Sequence, residues 1–390
     1  MKRTSLFPLP GMTQGILFSL LLLISMLAMA TLIPIPLDPY LDFQVLYFAD
    51  RGLLHGIPLY DQTAQAQMVA NERGVAVDQV FAVPFPYPPW YALTTLALAL
   101  LPIYSAARMW FLLNGAMLFT SVWLLTDGWH PRKRLFSFVA AFLFLPVLGA
   151  LFVGQYVFPA LLGMALIIYA LKYQQVGLIS LGMALATFKP HIGIFLLLAV
   201  LVHLVSRRDR FGYRAFWATA FAGVILFSIG FIADGAWPLT YFRSVTDFKN
   251  ISECEICISL PLTLTRLIGL GFDQSAPVAA FLLTALVALF IGSRYRLGDE
   301  AFVAFFVCVP LLVNPYLLNY DFSFALIPLF YLSGTAKSKV DWFWIALTFF
   351  ITWVGVGIFG RAGDFTLLVF IIPLTIIILT RLYKKYTILS

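Results

Sequence analysis

Apolar runs of roughly 17–25 residues recur along almost the whole chain, and no other feature of the sequence constrains its fold as tightly. A helix of that length crosses the ~30 Å hydrocarbon core of a bilayer, and in lipid each segment must satisfy its own backbone donors and acceptors. No period-2 alternation of a membrane barrel interrupts the runs. The expected fold is therefore an all-α integral membrane bundle. Composition agrees: 62% of the 390 residues are hydrophobic and 11% charged. A soluble domain carries about 25% charged residues, and one aqueous core cannot bury so much apolar surface.

About 12 spans fit the runs, at 14–33, 106–126, 135–152, 156–171, 175–188, 190–206, 214–233, 276–292, 299–313, 315–332, 342–359 and 365–381. The first is read as an uncleaved helix rather than a signal peptide, because it is long and further spans follow. Most of the Lys and Arg, including Lys2, Arg3, Arg132, Lys133, Arg134, Lys172, Arg207, Arg208, Lys337, Lys384 and Lys385, then fall on one side. The positive-inside rule makes that side cytoplasmic, with both termini. The net charge of +7 reflects this placement rather than a nucleic-acid partner.

Residues 89–103 are apolar but short, and counting them as a span would put the Arg132–Arg134 cluster outside. They read as a juxtamembrane or re-entrant helix. The chain is thus a single polytopic domain with two large extracytoplasmic loops, 34–105 and 234–275. Long loops over one face of a compact bundle usually carry function.

In the first loop Tyr47, Leu53 and Leu54 suit an amphipathic surface helix that Gly56 and Pro58 end. Asp42 lies just past the first span between Leu41 and Phe43, where desolvation would raise a carboxyl toward the range of a general base. Phe85-Pro86-Tyr87-Pro88-Pro89 is a stiff, extended entry to the membrane, and Trp90 and Tyr91 suit an interfacial belt. Three polar insertions interrupt apolar surroundings: Gly154-Gln155-Tyr156, Phe188-Lys189-Pro190-His191, and the stretch Asn314 to Asp321. Ionisable groups at membrane depth are costly and mark functional sites by default; a lysine at a helix end also has the plainer option of snorkelling.

Taken in order, Asp42, Tyr47, Gly56, Leu59-Tyr60, Phe85 to Pro89, Gly154-Gln155, Lys189-Pro190, Asn314-Pro315 and Tyr320-Asp321 resemble glycosyltransferase family 87 over about residues 38–330. The resemblance implies a GT-C type membrane enzyme that uses a polyprenyl-phosphate-linked sugar, usually mannose, on the extracytoplasmic face with inversion. Its acceptor would be a lipid or an envelope glycan. By position Asp42 would be the general base, with Gln155, Tyr47, Tyr87, Asn319, Tyr320, Asp321 and His191 toward sugar and acceptor. Lys189 would face the donor phosphate, with Arg266, Arg108 and Arg243 as further cations, since guanidinium suits phosphate bidentately. The family's mycobacterial mannosyltransferases carry a His near the position of Asn319-Tyr320-Asp321. This chain has none there, and His55 and His191 lie far off along the sequence.

No cofactor is expected. Oxygen ligands in a tight Asp-x-Asp would suit a divalent metal, and the first loop has none, so transfer is expected to be metal-independent. Cys308 reads as core packing. Cys254 and Cys257 lie in the second loop, where an oxidising exterior permits a disulfide; free thiols are the alternative. Two other function classes fit a multi-span chain: a lipid-linked-glycan transporter or flippase, which usually shows repeated halves that are absent here, and an envelope polysaccharide polymerase or ligase.

Overall fold

A computed structural model describes residues 41–80, 85–252, 257–292 and 298–359, with the single positions Ile24 and Thr375. The spans expected at 14–33 and 365–381 lie almost wholly outside the described residues. Every element described is helical. In chain order they are α1 Leu41–Leu54, α2 Gln62–Arg73, α3 Pro89–Thr95, α4 Ile103–Leu125, α5 Pro131–Leu143, α6 Leu145–Val153, α7 Val157–Tyr173, α8 Val176–Ala186 and α9 Pro190–Ser206. There follow α10 Arg210–Ala233, α11 Trp237–Ser252, α12 Leu260–Leu267, α13 Ser275–Gly292, α14 Asp299–Val313, α15 Leu326–Thr335 and α16 Lys339–Phe359. The tight 3-10 turns Leu96–Leu100 and Asn319–Ala325 lead into α4 and α15.

The spans are less uniform than the hydropathy pattern implies. Among the described residues α4 and α10 are long and apolar enough to cross a membrane alone, and α5 with α6 makes a third candidate bent by 57°. The expected span 135–152 is this bent pair; its break falls at Phe144, ahead of Pro146. The expected span 175–188 is α8, which at 11 residues is about 16 Å long, roughly half the hydrocarbon core. The expected span 315–332 begins not as α-helix but as an irregular loop and a 3-10 turn before α15. Hydropathy sees apolar composition and does not see where Pro and Gly divide it. Residues 89–103 form α3 and its following turn; Tyr47 Oη donates to the Leu101 carbonyl (2.8 Å) and Arg51 to the Ala99 carbonyl (3.3 Å), tying the segment to α1.

α7 and α8 form a close antiparallel hairpin because both lack a side chain at the crossing. A Cβ on Gly163 would lie 2.5 Å from the Gly182 carbonyl oxygen, and one on Gly182 2.7 Å from the Gly163 oxygen. Gly163→Ala is expected to cost about 1–3 kcal/mol through overpacking, read as a lower melting midpoint in detergent. Gly177→Ala, on the same hairpin with nothing within 4 Å of its Cβ, is the control. Equal midpoints for the two variants would contradict the close approach.

The large core joins α4 to α9 with α14 and α15. A second core packs α1, Phe85, Tyr87 and Tyr91 against Trp110, Tyr156 and Phe188. Helix directions put these at one end of the bundle. The opposite ends of α5, α7 and α9 carry the basic groups: Lys133 donates to the Ser333 carbonyl (2.7 Å), Lys172 pairs with Asp127 (3.0 Å), and His203 meets Asp299 (2.9 Å).

Candidate functional site

Three helix breaks deliver polar side chains to the junction between the two cores. α6 ends at Gly154, whose φ of +71° lies in the left-handed region that glycine adopts without strain. That turn presents Gln155, and α4 holds it from behind: Trp110 Nε1 donates to the Gly154 carbonyl (2.9 Å) and Asn114 Nδ2 to the Gln155 carbonyl (3.3 Å). Pro190 at the start of α9 disfavours helical backbone in the residue before it. Lys189 accordingly sits outside the helix at φ −121°, ψ 76°. Asn314 ends α14 and joins the third break to the second: its Nδ2 donates to the His191 carbonyl (2.9 Å), and its Oδ1 accepts from Tyr316 N (2.9 Å).

On this frame Gln155 Nε2 donates to Asp42 Oδ2 at 3.0 Å. The amide orientation is fixed, because its Oε1 accepts from the Tyr156 N–H at 2.9 Å and that group only donates. Among the described residues the Gln155 contact is the one side-chain hydrogen bond to Asp42. Beside it Lys189 Nζ lies 3.1 Å from Asp321 Oδ1, with the two side chains 2% and 1% exposed. Asp321 Oδ2 also accepts from Leu318 N (3.0 Å) and faces His191 Nε2 at 3.7 Å. Aromatic faces complete the enclosure, with the Lys189 ammonium 4.9 Å from the Tyr320 ring and 5.9 Å from that of Tyr87.

Burial pushes the Asp42 carboxyl above the ordinary aspartate range; the Gln155 hydrogen bond and Lys189 draw it down, while Asp321 pushes it up. Lys189 and Asp321 therefore oppose each other at Asp42, and burial remains the leading influence. The arrangement unites a buried carboxylate, a hydrogen bonder that orients it, and a buried cation held by a second carboxylate. It suits a proton-accepting step next to a group that acquires negative charge.

Of the residues expected from sequence, Asp42, Gln155, Lys189, His191, Asp321, Tyr87 and Tyr320 come together here. Asn319 opens the 3-10 turn that carries Asp321. Tyr47 is instead turned to Leu101. Arg108, Arg243 and Arg266 are exposed on α4, α11 and α12, and Lys189 is the cation that the cluster encloses. His191, far from 319–321 along the sequence, stands against that turn in the fold, because the α9 start packs there and separation along the chain does not measure separation in space. Sequence reading assigned no site role to Tyr156, whose hydroxyl accepts from Leu46 N (3.2 Å) and whose ring meets Tyr87 edge-on at 4.7 Å. Nor did it assign one to Tyr316, against which the His191 ring stands at 6.1 Å. Adjacency to Gln155 and to Asn314-Pro315 was the available signal.

The second loop lies against this end of the molecule. Ile258 N donates to the Leu317 carbonyl (2.7 Å) and Ser259 Oγ to the Asn314 carbonyl (2.8 Å). Cys257 is disulfide-bonded and Cys308 is free and buried; Cys254 lies outside the described residues.

A family model described as glycosyltransferase family 87 matches residues 85–315. That range contains Tyr87, Gln155, Lys189 and His191, and stops short of both Asp42 and the 319–321 turn. No curated protein and no solved structure matches the chain.

Proposed function

The chain belongs to glycosyltransferase family 87, and from that premise we propose that it moves a sugar, mannose, from a polyprenyl-phosphate donor to a lipid or envelope-glycan acceptor. Transfer takes place on the extracytoplasmic face of the cell membrane, with inversion, in a multi-pass enzyme whose termini are cytoplasmic. The observation that carries the reading is the Gln155-oriented Asp42 carboxylate beside the buried Lys189–Asp321 pair. Family membership in a glycosyltransferase group sets aside the transporter reading.

Asp42 is the general base. The acceptor hydroxyl gives its proton to Asp42 Oδ1 as its oxygen bonds to the anomeric carbon. The bond from that carbon to the phosphate oxygen breaks on the opposite face, its electron pair leaving with polyprenyl phosphate. Negative charge grows on the phosphate, where Lys189 is the fitting partner, and preorganised charge of this kind is usually the largest single contribution to rate. Gln155, Asn319 and His191 supply hydrogen bonds to sugar and acceptor hydroxyls, and Tyr87 and Tyr320 supply ring faces.

The test is to incubate purified protein with polyprenyl-phosphate mannose, with and without an envelope lipid extract. Free polyprenyl phosphate and a mannosylated lipid are expected only when the extract is present. Turnover of a nucleotide sugar in place of the lipid-linked donor would overturn the donor assignment.

A further inference from the structure

Eight residues beyond Asp42 on the same helix, about 12 Å along α1, stands a second carboxyl that the proposed reaction does not use. Asp50 is 0% exposed, and neither of its oxygens has a hydrogen-bond partner among the described residues. An isolated buried carboxylate is far costlier than a neutral acid. The Thr95 hydroxyl of α3 stands next to it. That hydroxyl already gives its proton to the α3 carbonyls of Tyr91 (3.1 Å) and Ala92 (3.2 Å). What Thr95 has left to offer is a lone pair, which a protonated carboxyl can use and an ionised one cannot.

The helix on the far side of this contact carries the floor of the site. Tyr91 of α3 stacks on Phe188 at 4.2 Å, one residue before Lys189, and meets Tyr156 edge-on at 5.3 Å, one residue after Gln155. Its hydroxyl, buried like Asp50, also has no partner among the described residues. The α1–α3 contact thus sets Asp42, on α1, against Gln155 and Lys189.

We propose that Asp50 is a positioning residue that works as a neutral carboxylic acid, donating its proton to the Thr95 hydroxyl and so locking α1 onto α3 behind Asp42. Burial pushes its carboxyl well above the ordinary aspartate range. Among the described residues, the ionisable groups on the surrounding elements do not supply a counter-charge. Arg51 of α1 is turned to Glu72 of α2 (2.9 Å), Arg108 of α4 is exposed, and burial pushes the Tyr91 hydroxyl well above the ordinary tyrosine range.

This inference rests on Asp42 as the base, and its test separates the two. Asp50→Asn keeps a donor in place of the acid proton, and about native turnover is expected. Asp50→Ala and Thr95→Val break the lock, and roughly a tenfold to hundredfold fall in kcat is expected with little change in donor KM, as for a displaced catalytic group. A second readout needs no substrate. Because the folded state favours the protonated acid, native stability falls relative to Asp50→Asn as pH rises from the ordinary aspartate range toward the raised one. The melting midpoints of the two proteins should coincide in acid and diverge above it, with the Asn variant higher, whatever Asp42 does. Asp50→Asn as inactive as Asp50→Ala, full activity in Asp50→Ala, or parallel midpoints across pH would each overturn the proposal. Poor folding of Asp50→Ala leaves the Asn and Val comparisons to decide it.

Discussion

Asp42→Asn is expected to lower transfer by about 10²–10⁴-fold, the usual worth of a positioned general base, while the protein folds in native amount. The substitution preserves shape and the contact with Gln155, and removes the capacity to take a proton. Its effect on stability runs opposite to its effect on rate. A carboxyl raised by burial is favoured as the neutral acid in the fold, so above the ordinary aspartate range its ionisation works against folding. An amide carries no such cost, and the variant's melting midpoint at neutral pH is expected to equal or exceed the native one. The native enzyme carries a matching signature. Activity requires the ionised form, so kcat/KM falls as pH drops through the raised pKa, with a midpoint above that of an unperturbed aspartate. Near-native turnover in Asp42→Asn, or an acid limb at the unperturbed value, would remove Asp42 from the base role.

Sequence reading reached Asp42 and Gln155 for the same reason it reached the membrane. Polar residues in apolar surroundings stand out, and Gly154 and Pro190 announce the breaks that expose them. The end of α1 was also legible, since Gly56 adopts φ +74° just past Leu54. Three things were not. The pairing of Lys189 with Asp321 links residues far apart in sequence, and neither local pattern encodes the partner. The closeness of His191 to that turn was hidden for the same reason. Asp50 carries no mark of its complete burial in the local sequence, because burial is set by what packs against α1 rather than by neighbours on the chain. Span counting is blind in a different way: it reads a continuous apolar stretch such as 135–152 as one segment and does not see the 57° bend ahead of Pro146. Tyr47 was a candidate by the family resemblance and the three arginines by type and outer placement, and neither says which way a side chain turns.

The Lys189–Asp321 pair offers the sharpest separation of fold from chemistry. Removing one member of a buried ion pair leaves the other uncompensated, which costs about 3–5 kcal/mol. Lys189→Met and Asp321→Asn are therefore both expected to lower the melting midpoint and the yield of folded protein. Their poor activity alone would say nothing about mechanism. The double variant Lys189→Met/Asp321→Leu replaces the pair with apolar groups of similar volume, an exchange that is often neutral or stabilising in a buried setting. Its midpoint is expected to return close to native. If Lys189 and Asp321 serve only to hold the α9 start against the 319–321 turn, transfer returns with the fold. If the ammonium balances charge on the departing phosphate, the refolded double variant stays inactive, because no apolar side chain replaces a preorganised cation in the transition state. The expected result is a native-like midpoint with transfer still lost by at least about a hundredfold, the scale of removing one preorganised donor from a developing charge. Recovery of both would make the pair a fastening of the fold and return the phosphate-binding role to another cation of the chain.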